Sequence, residues 1–328
     1  MMQLTGRSVR TVFALTETGP RAWEATVDGT WRGWTGPHGG VIAGLLVEVS
    51  RMAAPDGGAV RAVDTRFLGR PGEGRFRFDA TVHAVGRSTT VVDVTARQGG
   101  AAVVAGTITL GRIGTRGRQP DRVGADDAKS GSSSTAASRA TQAVRGRESA
   151  AGVGRGEPAG VAHRDGRGDP SGRSGTGALE RSNVEAIDVP APERCARFAL
   201  PPEIVPVGAH LDIRPAAGPL PLTGSSEAWM CAWISLVPEL DTDAAALAVL
   251  ADALPPGIFP MLRAPLAVPT VAMSLYLHTD LAAAPAQPVL VKAANVSTSG
   301  GWSVDDVDIR DREGRLLAQS RQTRRVLG

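Results

Sequence analysis

Apolar and polar positions alternate in two separate stretches of this chain, and a long segment between them shows no such alternation. In the first stretch Phe76, Phe78, Ala80 and Val82 fall at period two, which places them on one face of a β-strand. The pattern predicts strands over Val60–Leu68, Arg75–Ala84, Thr89–Arg97 and Ala102–Leu110. Gly86-Arg87-Ser88 and Gln98-Gly99-Gly100 supply turns between them, glycine being the residue that turns most readily accept. Upstream, strand-like stretches at Val9–Thr16 and Trp23–Val27 lead to a turn, Gly36-Pro37-His38-Gly39-Gly40, and then to an apolar helix from Val41 to Met52. Pro55 and Gly57-Gly58 end that helix, since proline and glycine both disfavour its continuation.

The second stretch repeats the order. Strands are expected at Ala209–Arg214 and Glu227–Ser235, then a helix from Thr242 to Leu254 with Asp241 or Thr242 as its N-cap. Pro255-Pro256-Gly257 stops it. Four more strands follow, Thr270–Leu277, Pro288–Ser297, Trp302–Arg310 and Arg315–Arg325. The last hairpins correspond: Arg97-Gln98-Gly99-Gly100 matches Asp311-Arg312-Glu313-Gly314, and the strand through Thr109 matches the strand through Gln322. A helix followed by four antiparallel strands, found twice, points to an internal repeat. One helix on one curved sheet leaves an open edge, and two copies close it by pairing edge to edge. The expected fold is therefore α+β, a double hotdog: two helix-plus-sheet repeats forming one continuous sheet with both helices on one side. The expected organisation is an N-terminal repeat over 1–113, a linker over 114–180 and a C-terminal repeat over 181–328.

Composition sharpens the middle boundary. From Gly114 to Ala178 there is no Ile, Leu, Met, Phe, Trp, Tyr or Cys, too little apolar surface to offset about 1–2 kcal/mol of backbone entropy per residue. The segment is expected to be a disordered linker, and its Arg167-Gly168-Asp169 and Gly152-Val153-Gly154 are chance products of an Arg-, Gly- and Asp-rich composition. It carries eleven Lys/Arg and seven Asp/Glu, a net of +4, against +3 for the whole chain. The remainder thus has no basic excess to attract nucleic acid. Cys195 and Cys231 lie far apart in the sequence, and the five histidines are scattered, so neither a disulfide framework nor a zinc site is expected. No cofactor is expected. No apolar run approaches the roughly 20 residues of a membrane span, and the first ten residues lack the apolar stretch of a secretory signal; a cytoplasmic location is the expectation.

Three motifs carry a resemblance. Trp34-Thr35-Gly36-Pro37-His38-Gly39-Gly40-Val41-Ile42-Ala43-Gly44-Leu45-Leu46 lies in the first repeat. Leu250-Ala251-Asp252-Ala253-Leu254-Pro255-Pro256 with Val268-Pro269-Thr270 lies in the second, followed by the run from Asp311 to Gln322. In that order the chain resembles the type II, TesB-like acyl-CoA thioesterases of the double-hotdog superfamily. The resemblance implies hydrolysis of acyl-CoA to free fatty acid and CoA. It implies that Asp252, Thr270 and Gln322 bind one water and aim it at the thioester carbonyl. The chemistry suits these residue types: a carboxylate accepts the water's proton, while a hydroxyl and an amide orient it. The backbone N–H groups of Gly39, Gly40 and Val41, at the start of the first helix, are the expected donors to the carbonyl oxygen. The first repeat, with Thr109 where the second has Gln322 and no carboxylate matching Asp252, is expected to be non-catalytic. An acyl-CoA-binding protein without turnover and a hotdog dehydratase on hydroxyacyl or enoyl thioesters are the alternatives. The trio has no use in a mere binder, and a dehydratase needs a catalytic His beside a carboxylate on a central helix. Association into a homo-oligomer is compatible with this fold.

Overall fold

The computed structural model describes residues 5–85, 88–112, 187–278 and 283–327. The linker expected over 114–180 lies outside them. Among the described residues twelve strands form one sheet. In chain order they are β1 (Thr16–Gly19), β2 (Ala22–Val27), β3 (Ala59–Phe67), β4 (Gly74–Val85), β5 (Thr89–Gln98), β6 (Ala101–Gly111), β7 (Leu211–Ala217), β8 (Trp229–Leu236), β9 (Thr270–Leu277), β10 (Val289–Ser299), β11 (Trp302–Arg310) and β12 (Leu316–Arg325). Their spatial order is β1-β2-β4-β5-β6-β3-β9-β12-β11-β10-β8-β7. Outward from the centre, β3, β6, β5, β4, β2, β1 on one side mirror β9, β12, β11, β10, β8, β7 on the other, so the internal repeat is also a repeat in space. The two halves meet where β3 pairs antiparallel with β9, Asp64 opposite Ser274 and Thr65 opposite Met273. This seam removes the edge that each half would otherwise expose.

Three α-helices are present among the described residues: α1 (Val9–Val12), α2 (Gly39–Ala53) and α3 (Ala244–Leu250). Val41, Ile42, Leu45, Leu46 and Val49 of α2 are wholly buried, as are Ala245, Leu247 and Ala248 of α3. They share one core with the inward-facing Phe76, Phe78, Val92, Ile108, Leu275, Val291 and Ile309 of the sheet. Each large apolar side chain so buried contributes about 1.5–3 kcal/mol. Along β8, Ala232 and Ile234 enter this core, while Cys231 and Trp233 face the other way into a small cluster with Cys195 and Leu290. There the Trp233 indole N–H donates to the Pro190 carbonyl at 2.8 Å. Both thiols are free and buried.

Helices α2 and α3 pack backbone against backbone. A Cβ on Gly40 would lie 2.7 Å from the Ala248 carbonyl oxygen, and one on Gly44 would lie 2.9 Å from that of Ala245. The glycines permit an approach that no side chain allows, and it brings the N-terminus of α2 to the C-terminal end of α3.

Two local expectations are corrected. Residues Val9–Val12 form a helical turn, because Ser8 and Thr11 cap each other: the Ser8 N–H donates to Thr11 Oγ1 at 2.9 Å and the Thr11 N–H to Ser8 Oγ at 3.4 Å. That local pairing outweighs the β-preference of the valines. The N-cap of α3 is Asp243, whose Oδ1 accepts the Ala246 N–H at 2.9 Å. Asp241 is occupied by the N–H groups of Thr5 and Gly6, and Thr242 pairs with Ala284. The helix is also shorter than its pattern suggests. After Leu250 the chain tightens, with the Asp252 N–H bonded to Val249 and that of Ala253 to Leu250.

Candidate active site

Asp252 sits in this tightened turn, two residues past α3, and the first half holds it from two directions. The Gly40 N–H donates to its Oδ2 at 3.1 Å. The His38 ring, at the N-cap of α2, donates from Nε2 to the Asp252 main-chain carbonyl at 2.8 Å. A carbonyl only accepts, so Nε2 carries a proton. That nitrogen lies 3.8 Å from Oδ2 as well. The third hold comes from β12, where Arg324 Nη2 donates to Asp252 Oδ1 at 3.3 Å.

Thr270 opens β9. Its hydroxyl donates to Gln322 Oε1 at 3.1 Å and accepts from Arg324 Nη1 at 2.8 Å. Gln322 is fully buried, and its Nε2 donates to the Ala251 carbonyl at 3.0 Å. Three stretches separated by tens of residues therefore converge. Asp252 and Thr270 line a single cavity of about 380 Å³, together with His38, Gly39 and Arg324. Gln322 stands behind Thr270, with both ends of its amide engaged. The cavity is otherwise apolar, walled by Trp34, Phe67, Leu254, Phe259, Val268 and others, and its size falls in the usual range for small-molecule sites.

The expectation for Gly39, Gly40 and Val41 needs correction. The Gly40 N–H is spent on Asp252, and the Val41 N–H donates to the His38 carbonyl at 3.1 Å. Gly39 alone of the three keeps an amide without a hydrogen bond among the described residues. The close contact between α2 and α3 is what turns the second amide toward the carboxylate.

Sequence reasoning passed over Arg324. Its side chain is 8% exposed, and its guanidinium touches both Asp252 and Thr270 and forms an ion pair from Nε to Asp305 Oδ2 at 3.0 Å. The signal was present in the period of the strand, because Ser320, Gln322 and Arg324 alternate onto the buried face of β12 while Arg321 points outward. An arginine in phase with buried residues requires buried partners.

An antiparallel sheet built from two mirrored helix-bearing halves in one chain is the double hotdog arrangement, and comparison with known proteins places it. The acyl-CoA thioesterase N-terminal domain matches residues 27–111, and the acyl-CoA thioesterase C-terminal domain matches residues 191–326. Together they span more than half of the chain, which belongs to the acyl-CoA thioesterase family. Among solved structures, a conserved protein of unknown function with a hotdog fold from Alicyclobacillus acidocaldarius shares 20% identity over 98% of both chains, at a TM-score of 0.70. The tesB protein of Mycobacterium avium subs paratuberculosis shares 13% over 98% of both, at 0.63. Acyl-CoA thioesterase II TesB2 of Mycobacterium marinum shares 15% over 98% of both, at 0.60. At these identities the likeness is one of fold. No curated protein sequence matches the chain. The protein is thus a thioesterase, with acyl-CoA as the substrate its family implies. No helix among the described residues is long and apolar enough to cross a membrane.

Proposed function

We propose that the protein hydrolyses acyl-CoA to free fatty acid and CoA with a water held between Asp252 and Thr270. One observation carries this reading: the Thr270 hydroxyl has already given its only proton to Gln322 Oε1. Toward a water it can only accept, and so can the Asp252 carboxylate. A water donating one proton to each directs its lone pair away from both, into the apolar cavity where a thioester carbonyl would lie. Gln322 then acts on the water through Thr270, holding the hydroxyl in its accepting orientation.

The steps follow from these roles. The water oxygen bonds to the carbonyl carbon as its proton passes to Asp252, and the C=O electron pair moves onto oxygen. The N–H of Gly39, a residue that lines the cavity and whose amide has no other hydrogen bond among the described residues, is the donor assigned to that oxyanion. When the pair returns, the carbon–sulfur bond breaks, and the proton on Asp252 passes to the departing thiolate. The acid and CoA result, with the carboxylate restored. The apolar walls hold the acyl chain and exclude other waters.

The test is release of free CoA from a series of acyl-CoA substrates. Asp252→Asn keeps the shape and an acceptor but removes the base, so kcat should fall about 10²–10⁴-fold. Thr270→Val should lower kcat in the same direction. An Asp252→Asn enzyme turning over within a few fold of wild type would exclude this mechanism.

A further inference from the structure

We infer that Arg324 is a positioning residue for the hydrolytic water, acting as one rigid clamp on both groups that hold it. This rests on the reading of Asp252 and Thr270 given above. A guanidinium offers donors in a fixed planar fork; here both Nη arms are hydrogen-bonded, while the Nε end is held by charge and its N–H meets no acceptor among the described residues. Nη1 reaches Thr270 Oγ1 at 2.8 Å, Nη2 reaches Asp252 Oδ1 at 3.3 Å, and Nε faces Asp305 Oδ2 at 3.0 Å. Because the fork is planar and rigid, its two Nη arms set the separation and relative orientation of the hydroxyl and the carboxylate, and the ion pair with Asp305 anchors its Nε end by charge.

Asp305 provides that fixed end. It is 1% exposed, on β11, opposite Gln322 in the sheet. Its Oδ1 accepts Asn295 Nδ2 at 2.9 Å, and its Oδ2 also accepts the Gly257 N–H at 3.2 Å. Gly257 in turn lies so close to β10 that a Cβ there would be 2.5 Å from the Asn295 nitrogen. One buried carboxylate therefore ties together β10, the turn that follows Asp252, and the arginine that grips Asp252 from the other side. Arg324 also occupies one lone pair of Thr270 and one oxygen of Asp252, which narrows the directions in which either can accept from a water. Its place in the cavity wall keeps that constraint at the reacting end of the site.

The experiment measures kcat and KM separately for Arg324→Ala, Arg324→Lys and Asp305→Asn, with thermal melting of each and Asp252→Asn alongside. Loss of the clamp should lower kcat of Arg324→Ala about 100-fold, the scale of an ångström's misplacement, with KM within about threefold of wild type. Lysine should not restore it, since a point charge cannot hold Thr270 and Asp252 in one plane. Millimolar guanidinium ion should restore part of the lost kcat to the alanine variant and none to the lysine variant. Asp305→Asn, which keeps the side-chain shape, should lower kcat with Arg324 still present; if Arg324→Ala does not fold, this variant and the lysine one decide the matter. Arg324→Ala with kcat within about threefold of wild type, beside an inactive Asp252→Asn, would overturn the clamp and leave hydrolysis standing. So would an Asp305→Asn and an Arg324→Lys that both keep wild-type kcat. An active Asp252→Asn would instead bring down the hydrolytic reading itself.

Discussion

Substituting Gly40 by alanine tests the helix contact and the site at once. The added Cβ would lie 2.7 Å from the Ala248 oxygen, 2.8 Å from that of Val249 and 2.9 Å from the Val249 Cα. All three are backbone atoms, so no side chain can swing away. Ordinary contact begins near 3.4 Å, so α2 and α3 must part by about 0.7 Å, the difference between 3.4 and 2.7. Overpacking of this kind costs about 1–3 kcal/mol, or roughly 2–12 °C in Tm for a folded body of this size. The same displacement moves the Gly40 N–H away from Asp252 Oδ2, now 3.1 Å distant, and so releases one of the two hydrogen bonds that the described residues make to the carboxylate. A shift approaching an ångström costs up to about 10²-fold in rate, so kcat should fall between about 10- and 100-fold while KM changes little. CoA release and differential scanning calorimetry read the two effects. Gly19→Ala is the control, since a Cβ there meets nothing within 4 Å. A Gly40→Ala enzyme with wild-type Tm and kcat would refute the close contact and the coupling drawn from it.

Two further outcomes are expected. Gln322→Leu leaves the Thr270 hydroxyl and the buried Ala251 carbonyl without their partner; at about 1–3 kcal/mol for each unsatisfied group, it should melt several degrees lower and lose kcat, and a variant equal to wild type in both would rule out the orienting role. Glu48 of α2 is buried, and burial first, then repulsion from Asp243, pushes its carboxyl above the usual value of 4.5. The folded state then binds this proton more tightly than the unfolded one, so its contribution is complete below pH 4.5 and is lost as the pH rises through the raised value. Glu48→Gln should accordingly be more stable than wild type at neutral pH, with the gap closing toward pH 4; a gap constant across that range would be inconsistent with it.

The repeat was legible because the signals behind it are periodic. Phe76 and Phe78 recur at period two on β4, and the run from Val41 to Val49 is apolar at every position but Glu48, as suits a helix buried between a sheet and a second helix. The N-terminal helix was not legible, since its cause is one reciprocal cap at Ser8 and Thr11 inside a valine-containing stretch that reads as strand. The candidate site divided in the same way. Asp252, Thr270 and Gln322 could be named from a family resemblance, and they do lie within one hydrogen-bonded network. The first half's grip on Asp252 and the Arg324 contacts depend on how two helices and four strands cross in space. Neither Gly40 nor Arg324 carries a local signature of its partner, which lies 212 and 72 positions away in the chain.

Joining the halves along β3 and β9 within one chain also frees them from each other during evolution. In an assembly of two identical subunits every substitution is made twice, and a change that improves one centre is imposed on its twin. Here α2 has fifteen residues and a glycine-rich start, whereas α3 has seven and leads into the turn that bears Asp252. With the proposed assignment of Asp252, one half holds and the other works, and mutations that inactivate the enzyme should therefore arise in both.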